Sequence, residues 1–360
     1  MKVLVTGGSG FLGRRIQKRD PGWIYASSEG CDLTDPIACY DFFRALKPDA
    51  IIHLAGRVGG IKDNTTKQAE FYYQNVMINT NVIHQAHRCG IKRVLSSLST
   101  CCFPDKVERY PFTEGDMLSG PPSKSNLSYG YAKRALHIQS LSYREQYGLN
   151  YSTFCPSNIY GPHDHFDNEN SHFVAALVGK IYNSKNGDEL EFWGTGRPLR
   201  QQLYVDDLVR ALPALLNRHN DSSPVIVAPN ENLSISEMIQ IALKVSGKEL
   251  NITYNNSHEG QHRKDGSNEK FLELMDGFEF TSFEEGFERT YKWYGERNMQ
   301  NSSLVNIGRP DTVDEEDMIL KQKVRDVVFA FEAGKEYQFD VERFDNMMYD
   351  LKDYILGGEK

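Results

Sequence analysis

The first thirteen residues constrain the fold more than any other segment. Met1-Lys2-Val3-Leu4-Val5-Thr6 is a short apolar strand, and it passes at once into Gly7-Gly8-Ser9-Gly10-Phe11-Leu12-Gly13 and a helical pattern from Phe11 to Lys18. Glycines at i, i+3 and i+6 between a strand and a helix let the backbone turn tightly, approach an anion and pack helix on strand. The free N–H groups that open the helix then favour a phosphate. A dinucleotide site on Gly7, Gly10 and Gly13 is the expectation.

The rest of the N-terminal half alternates in the manner of a parallel α/β sheet. Apolar strands are expected at 23–28, 49–55, 92–97 and 150–155, with long helices at 71–89 and 129–147 between them. Strands alternating with helices imply a Rossmann-type, doubly wound parallel sheet. The expected domains are a dinucleotide-binding domain over 1–160 and a smaller α/β substrate domain over 161–297, partly interleaved with the first. A C-terminal helical extension over 298–360 completes them. That extension is acidic, with fourteen acids and eight bases in residues 301–360, and two amphipathic helices are expected at 315–330 and 341–355. No apolar run reaches the length of a membrane span, and no basic stripe suggests nucleic acid. Six scattered cysteines without metal-ligand spacing suit a reducing, cytoplasmic setting.

Tyr129-Gly130-Tyr131-Ala132-Lys133 puts a phenol and an ammonium one helical turn apart, on one face. A phenol with a pKa of about 10 is a poor acid or base at neutral pH, and a neighbouring lysine favours its phenolate. The 92–97 strand delivers Ser99 to the carboxyl end of the sheet, where its hydroxyl can hold a carbonyl against that phenol. This trio is equipment for moving a proton on or off a carbinol or ketone oxygen while a hydride moves elsewhere.

The cofactor is expected to be NADPH. No carboxylate closes the second strand to grip a ribose 2′-hydroxyl; Ser27 and Ser28 stand there instead, with Arg14 behind the glycine turn. Arg15 and Lys18 read as ordinary solvated helix charges. Asp32 is placed either for an adenine amino group or as a helix cap.

Further blocks narrow the reading: His53-Leu54-Ala55-Gly56-Arg57-Val58-Gly59-Gly60-Ile61, Ser99-Thr100-Cys101-Cys102-Phe103-Pro104, Ser157-Asn158-Ile159-Tyr160-Gly161-Pro162-His163-Asp164, Ser171-His172 and Trp193-Gly194-Thr195-Gly196. With them the chain resembles the GDP-L-fucose synthases, the 3,5-epimerase/4-reductases of the extended short-chain dehydrogenase/reductase superfamily, over roughly residues 1–297. The resemblance implies a GDP-4-keto-6-deoxy-D-mannose substrate, with Cys101 as epimerase base and His172 as acid. It implies cofactor contacts from Phe11, Leu12, Leu54, Ala55, Ser97, Leu98, Lys133, Pro156, Asn158, Ile159 and His172. It assigns the GDP-sugar to Lys180, Trp193, Arg200 and Glu259, the last standing where an aspartate is usual. Related enzymes pair two long helices across a two-fold axis, and 71–89 and 129–147 carry apolar residues to spare, so a homodimer is expected. No metal is expected. Another sugar-nucleotide epimerase or dehydratase of the same superfamily is the first alternative, although dehydratases carry an Asp-Glu pair where this chain has Cys101-Cys102. A non-catalytic nucleotide sensor is the second.

Overall fold

The computed structural model describes residues 1–166, 171–255, 257 and 261–306; the two helices expected beyond 314 and the Glu259 site lie outside these described residues. The chain divides into two compact units, Met1–Gly295 and Glu296–Lys360, and the fold described below is that of the first.

In chain order the first half runs β1 (Val3–Thr6), α1 (Phe11–Arg19), β2 (Ile24–Ala26), α2 (Pro36–Leu46), β3 (Ala50–His53), α3 (Ile61–Thr66), α4 (Gln68–Arg88), β4 (Arg93–Ser97), α5 (Leu127–Tyr147) and β5 (Asn150–Pro156). The second half adds β6 (Asn158–Tyr160), α6 (Phe173–Asn183), β7 (Glu189–Phe192), β8 (Leu199–Arg200), β9 (Gln202–Tyr204), α7 (Val205–Arg218) and β10 (Val225–Val227). It continues with β11 (Leu233–Ser234), α8 (Ile235–Ser246), β12 (Asn251–Tyr254), β13 (Arg263–Lys264), α9 (Glu269–Leu274) and α10 (Phe283–Asn306). The sequence pattern did not single out α2, α3, α7, α9 or α10.

Six strands form the main sheet in the order β10-β5-β4-β3-β1-β2, with every pair parallel. The order reverses at β1, whose two neighbours are β2 and β3, so the cleft at its carboxyl end is the switch point where ligands bind in such sheets. Buried residues of α2, α4 and α5 pack one face of the sheet, among them Phe43, Val82 and Leu136. Ile16 of α1 and the leucines of α7 pack the other. A third core lies under α6 and α8. The second half does not stay apart: α7 and β10 return to the main sheet after β6–β9 have been laid down.

Arg15 is not a solvated charge. Its guanidinium grips Asp206 at the start of α7 through both carboxylate oxygens at 2.5–2.6 Å, which ties α1 to α7.

The glycine turn after β1 is packed to its backbone limit. Gly7 has φ +74°, and a Cβ there would sit 2.9 Å from the Ala55 nitrogen. A Cβ at Gly13 would collide with the Gly7 carbonyl oxygen. Gly13→Ala therefore destabilises the fold by about 1–3 kcal/mol through overpacking. Gly22→Ala, where a Cβ meets nothing within 4 Å, stays within about 0.5 kcal/mol of the parent. Urea unfolding of the two variants side by side checks this, and equal midpoints would contradict it.

Candidate active site

A cavity of about 720 Å³ opens along the carboxyl edge of the main sheet. Its wall holds the glycine turn (Gly7, Gly10, Phe11, Leu12, Gly13), Leu54 and Ala55 after β3, and Ser97, Leu98 and Ser99 after β4. Tyr129 and Lys133 of α5, Pro156, Asn158 and Ile159 around β5–β6, and His172 complete it, with Ser27, Ser28 and Asp32 near β2. Arg14, also expected to touch the cofactor, is not part of this wall; it is exposed, and its Nε donates to the Ser9 carbonyl at 2.6 Å.

The turn suits a dinucleotide by its own geometry. Gly10 opens α1 with extended backbone and no side-chain cap, and no acid stands in the first turn. The uncapped N–H groups and the positive end of the helix dipole are left to an anion. Asp32 turns inward on its own loop: its Oδ1 accepts from the Thr34 N–H at 2.9 Å and the Thr34 hydroxyl at 2.7 Å, which hold the carboxyl below its ordinary range. The cap of α2 is Asp35, whose Oδ1 accepts from Ile37 and Ala38.

Tyr129 and Lys133 are both almost fully buried. Burial dominates the phenol, pushing it well above its usual value, with Cys101, Cys102 and Cys155 adding to the rise; a hydrogen bond with Ser99 opposes it. The expected phenolate stabilisation by lysine is therefore outweighed, because the Lys133 ammonium lies 5.8 Å from the phenol ring centroid and donates instead to the Ser97 carbonyl at 2.9 Å. A protonated phenol is the form that can give a proton to a developing alkoxide. Burial also lowers the Lys133 pKa to about 8.

Beneath Lys133 a buried relay holds the sheet edge to α4 and α5. His53 Nδ1 pairs with the Thr6 hydroxyl at 2.8 Å and Nε2 with Asn79 Oδ1 at 3.1 Å, while Asn79 Nδ2 donates to the Ala132 carbonyl at 3.3 Å. Oδ1 can only accept, so Nε2 carries the proton and Nδ1 accepts from Thr6. Burial, then the nearby Lys133, keeps this imidazole neutral, with a pKa lowered to about 3.

Cys101 sits in the short turn Thr100–Cys102, and its own N–H donates to the Ser99 hydroxyl. Its Sγ accepts from Asn126 Nδ2 at 3.0 Å and from Lys264 Nζ at 3.4 Å. His172 lines the cavity, solvent-accessible yet partly desolvated by the residues around it. That desolvation lowers its pKa, and His165 and Lys264 lower it further. Asp164 also lines the cavity; burial raises its carboxyl to about 7, and among the described residues its Oδ2 has no hydrogen-bond partner.

The residues expected to hold a GDP-sugar lie outside the cavity wall. Lys180 Nζ donates to the Glu191 carbonyl at 3.2 Å and lies 4.8 Å from the Phe192 ring centroid, beside Trp193, which is 66% exposed. Arg200 ends β8, where its register partner in β13 is Lys264. Asn126 and Lys264 carried no sequence signal of their own, and Asp164 only its place at the end of the Ser157–Asp164 block. Asn126 lies three residues before Tyr129, but Lys264 reaches Cys101 only through the pairing of β13 with β8.

The sequence profile of the NAD dependent epimerase/dehydratase family matches residues 3–228. A GDP-L-fucose synthase of Dictyostelium discoideum is 36% identical over 305 residues, covering 81% of this chain and 94% of its own. One from Escherichia coli K12 is 31% identical, covering 81% and 96%. Among solved structures, a GDP-L-fucose synthetase from Naegleria fowleri bound to NADP superposes with a TM-score of 0.76 at 34% identity, covering 82% of this chain and 93% of that one. The chain belongs to the NAD dependent epimerase/dehydratase family, on the branch that holds the GDP-L-fucose synthases.

The depressed Lys133 pKa carries a stability signature. The folded value of about 8 lies below the ordinary 10.5. The unfolded chain therefore binds the extra proton between these values, and this residue's contribution to stability rises with pH across that window. The stability of Lys133→Met relative to the parent, read from urea unfolding, is highest near pH 7. It falls by roughly 2–4 kcal/mol toward pH 10.5. A difference that stays flat with pH would show the ammonium is not desolvated.

Proposed function

We propose that this protein converts GDP-4-keto-6-deoxy-D-mannose to GDP-L-fucose, inverting C3 and C5 and then reducing C4 with NADPH. One observation carries the reading: the Ser99–Tyr129 pair and His172 line the same cavity as the glycine turn, and Cys101 lies in the turn that begins directly after Ser99. The carbonyl at C4 acidifies the hydrogens on C3 and C5. Cys101 takes one from one face and His172 returns a proton from the other, the roles suited to a thiol of pKa about 8.5 and an imidazole of about 6.5 once their surroundings tune them. Bound NADPH would supply the hydride to C4; Tyr129, held protonated, gives the C4 oxygen its proton, and Ser99 holds that oxygen in line. Gly7, Gly10 and Gly13 would take the pyrophosphate, and Ser27 and Ser28 the 2′-phosphate. Lys180 and Arg200 would meet the diphosphate of the sugar nucleotide, and the exposed Trp193 indole would pack on an apolar face of it.

Tyr129→Phe separates the two activities. Reduction falls by roughly a hundredfold or more, while deuterium from solvent still enters C3 and C5. Product analysis by NMR in deuterium oxide is the check; loss of exchange in parallel with reduction would assign both steps to one acid. Absence of exchange and reduction in the parent protein would overturn the function itself.

The protein acts as a homodimer in a reducing cytoplasm in this reading. Its six cysteines are all unpaired, and no helix among the described residues is long and apolar enough to cross a membrane. Tyr72 of α4 and Tyr131 and Ile138 of α5 are 42–47% exposed and, with Leu118, border one shallow apolar depression. Covering such a patch with its two-fold copy buries it without a new surface. Light scattering at micromolar concentration should give twice the chain mass, and Ile138→Asp should return it to one. A monomeric parent protein would refute the dimer.

A further inference from the structure

Lys264 comes from the second half of the chain and reaches the sulfur of Cys101. It ends β13, and the strand that carries it is pinned: Arg263 and Lys264 pair in register with Leu199 and Arg200 of β8, and Arg263 binds Asp265 through both carboxylate oxygens at 2.6 and 2.9 Å. Its neighbours Asp265 and Gly266 are held by the Phe112 N–H and by Gln201 Oε1. The ammonium is thus delivered by an anchored backbone, and it reaches Cys101 Sγ at 3.4 Å while Asn126 donates to the same sulfur at 3.0 Å.

The other ionisable groups around that sulfur are Cys102 in its own turn, Tyr129 from α5 and Cys155 from β5, with Lys133 and Arg134 facing Cys102 and Glu114 facing Cys155. Burial raises Cys102, Tyr129 and Cys155, so all three are uncharged at neutral pH. Among the described residues, that leaves Lys264 as the charged group in hydrogen-bond contact with Cys101. The same cation, together with His165, faces His172.

We infer that Lys264 is the positioning residue of the epimerase pair, its ammonium holding Cys101 as a thiolate ready to accept a carbon-bound proton and making the His172 imidazolium a stronger proton donor. Asn126 donates to the same sulfur and fixes its direction. In the step itself the C–H electron pair moves into the enolate, the proton goes to sulfur, and His172 then gives its proton to the carbon from the opposite face. No redox partner is needed. The inference rests on the function proposed above and adds to it the group that polarises both ends of the proton transfer.

One cation acting on an anion and on another cation has a signature that a scaffold residue lacks. Removing it makes the thiolate harder to form and the imidazolium harder to deprotonate, so both midpoints move to higher pH. The experiment compares the full-length parent, Lys264→Met and Lys264→Arg. The first readout is alkylation of Cys101 by iodoacetamide against pH, followed on that residue by peptide mass spectrometry. The second is deuterium exchange into GDP-4-keto-6-deoxy-D-mannose against pH. The expected result is an upward shift of about 1–3 pH units in the alkylation midpoint for Lys264→Met. Both limbs of the exchange profile move the same way, and Lys264→Arg largely restores the parent profile. An unmoved alkylation midpoint, or a uniform loss of exchange with no shift of its pH profile, overturns the inference even if the parent protein exchanges normally. If the parent protein alkylates at Cys101 with the Lys264-dependent midpoint but never exchanges the substrate, the proposed substrate fails and the thiolate pairing stands.

Discussion

Everything in the site depends on how closely α5 lies against the turn that follows β4, and Gly130 sets that distance. A Cβ there would stand 2.5 Å from the Cys101 carbonyl oxygen and 2.9 Å from Pro122. A glycine inside a helix costs about 1 kcal/mol relative to alanine, and here the cost is offset by contact of helix backbone with turn backbone. The neighbouring side chains complete the clamp. Lys133 donates to the Ser97 carbonyl and Arg134 to the Cys102 carbonyl. Residues 129–134 thereby fasten the whole 97–102 segment, and Ser99 meets Tyr129 as a consequence rather than by a separate arrangement.

That closeness has an electrostatic cost, which the surroundings show. A phenol, a lysine and two thiols crowd together away from water, and desolvation is the leading influence on Tyr129, Lys133, Cys102 and Cys155 alike. Burial pushes acids up and bases down, so each of these groups is driven toward its neutral form. His53 below them is neutral as well, with both ring nitrogens engaged. Against such a background a single ammonium touching a sulfur has more effect than it would in water, which gives the position of Lys264 its weight.

The features legible in the sequence are those whose partners lie close along the chain. The glycine turn, the Tyr129–Lys133 spacing and the strand that delivers Ser99 depend on neighbours a few residues away, and all of them line one cavity. Long-range pairing carried no such mark. Arg15 looks like a surface charge until α7 places Asp206 against it 191 residues later. Asp32 resembles a cap, but Asp35 forms the cap because α2 begins with Pro36, whose missing N–H suits the first helical position. α7 itself was not picked out, since Pro213 interrupts a pattern that is otherwise strongly amphipathic. Lys264 stands 163 residues from Cys101 and meets it only through the β13–β8 register.

The interleaving of the two halves follows from the chemistry as much as from topology. A hydride site alone could be built on β1–β5 with their helices, because Ser99, Tyr129 and Lys133 all come from that segment. In the proposed reaction, inverting a carbon next to a ketone needs groups on both faces of the sugar. His172 at the start of α6 and Lys264 at the end of β13 come from the second half of the chain. That half is locked back onto the first by β10 beside β5 and by α7 under the sheet. Without those returns the second half would dock as a mobile cap, and a contact of 3.4 Å between Lys264 and Cys101 would not be held. The crossing of the chain between its two halves is therefore what makes a two-faced site possible.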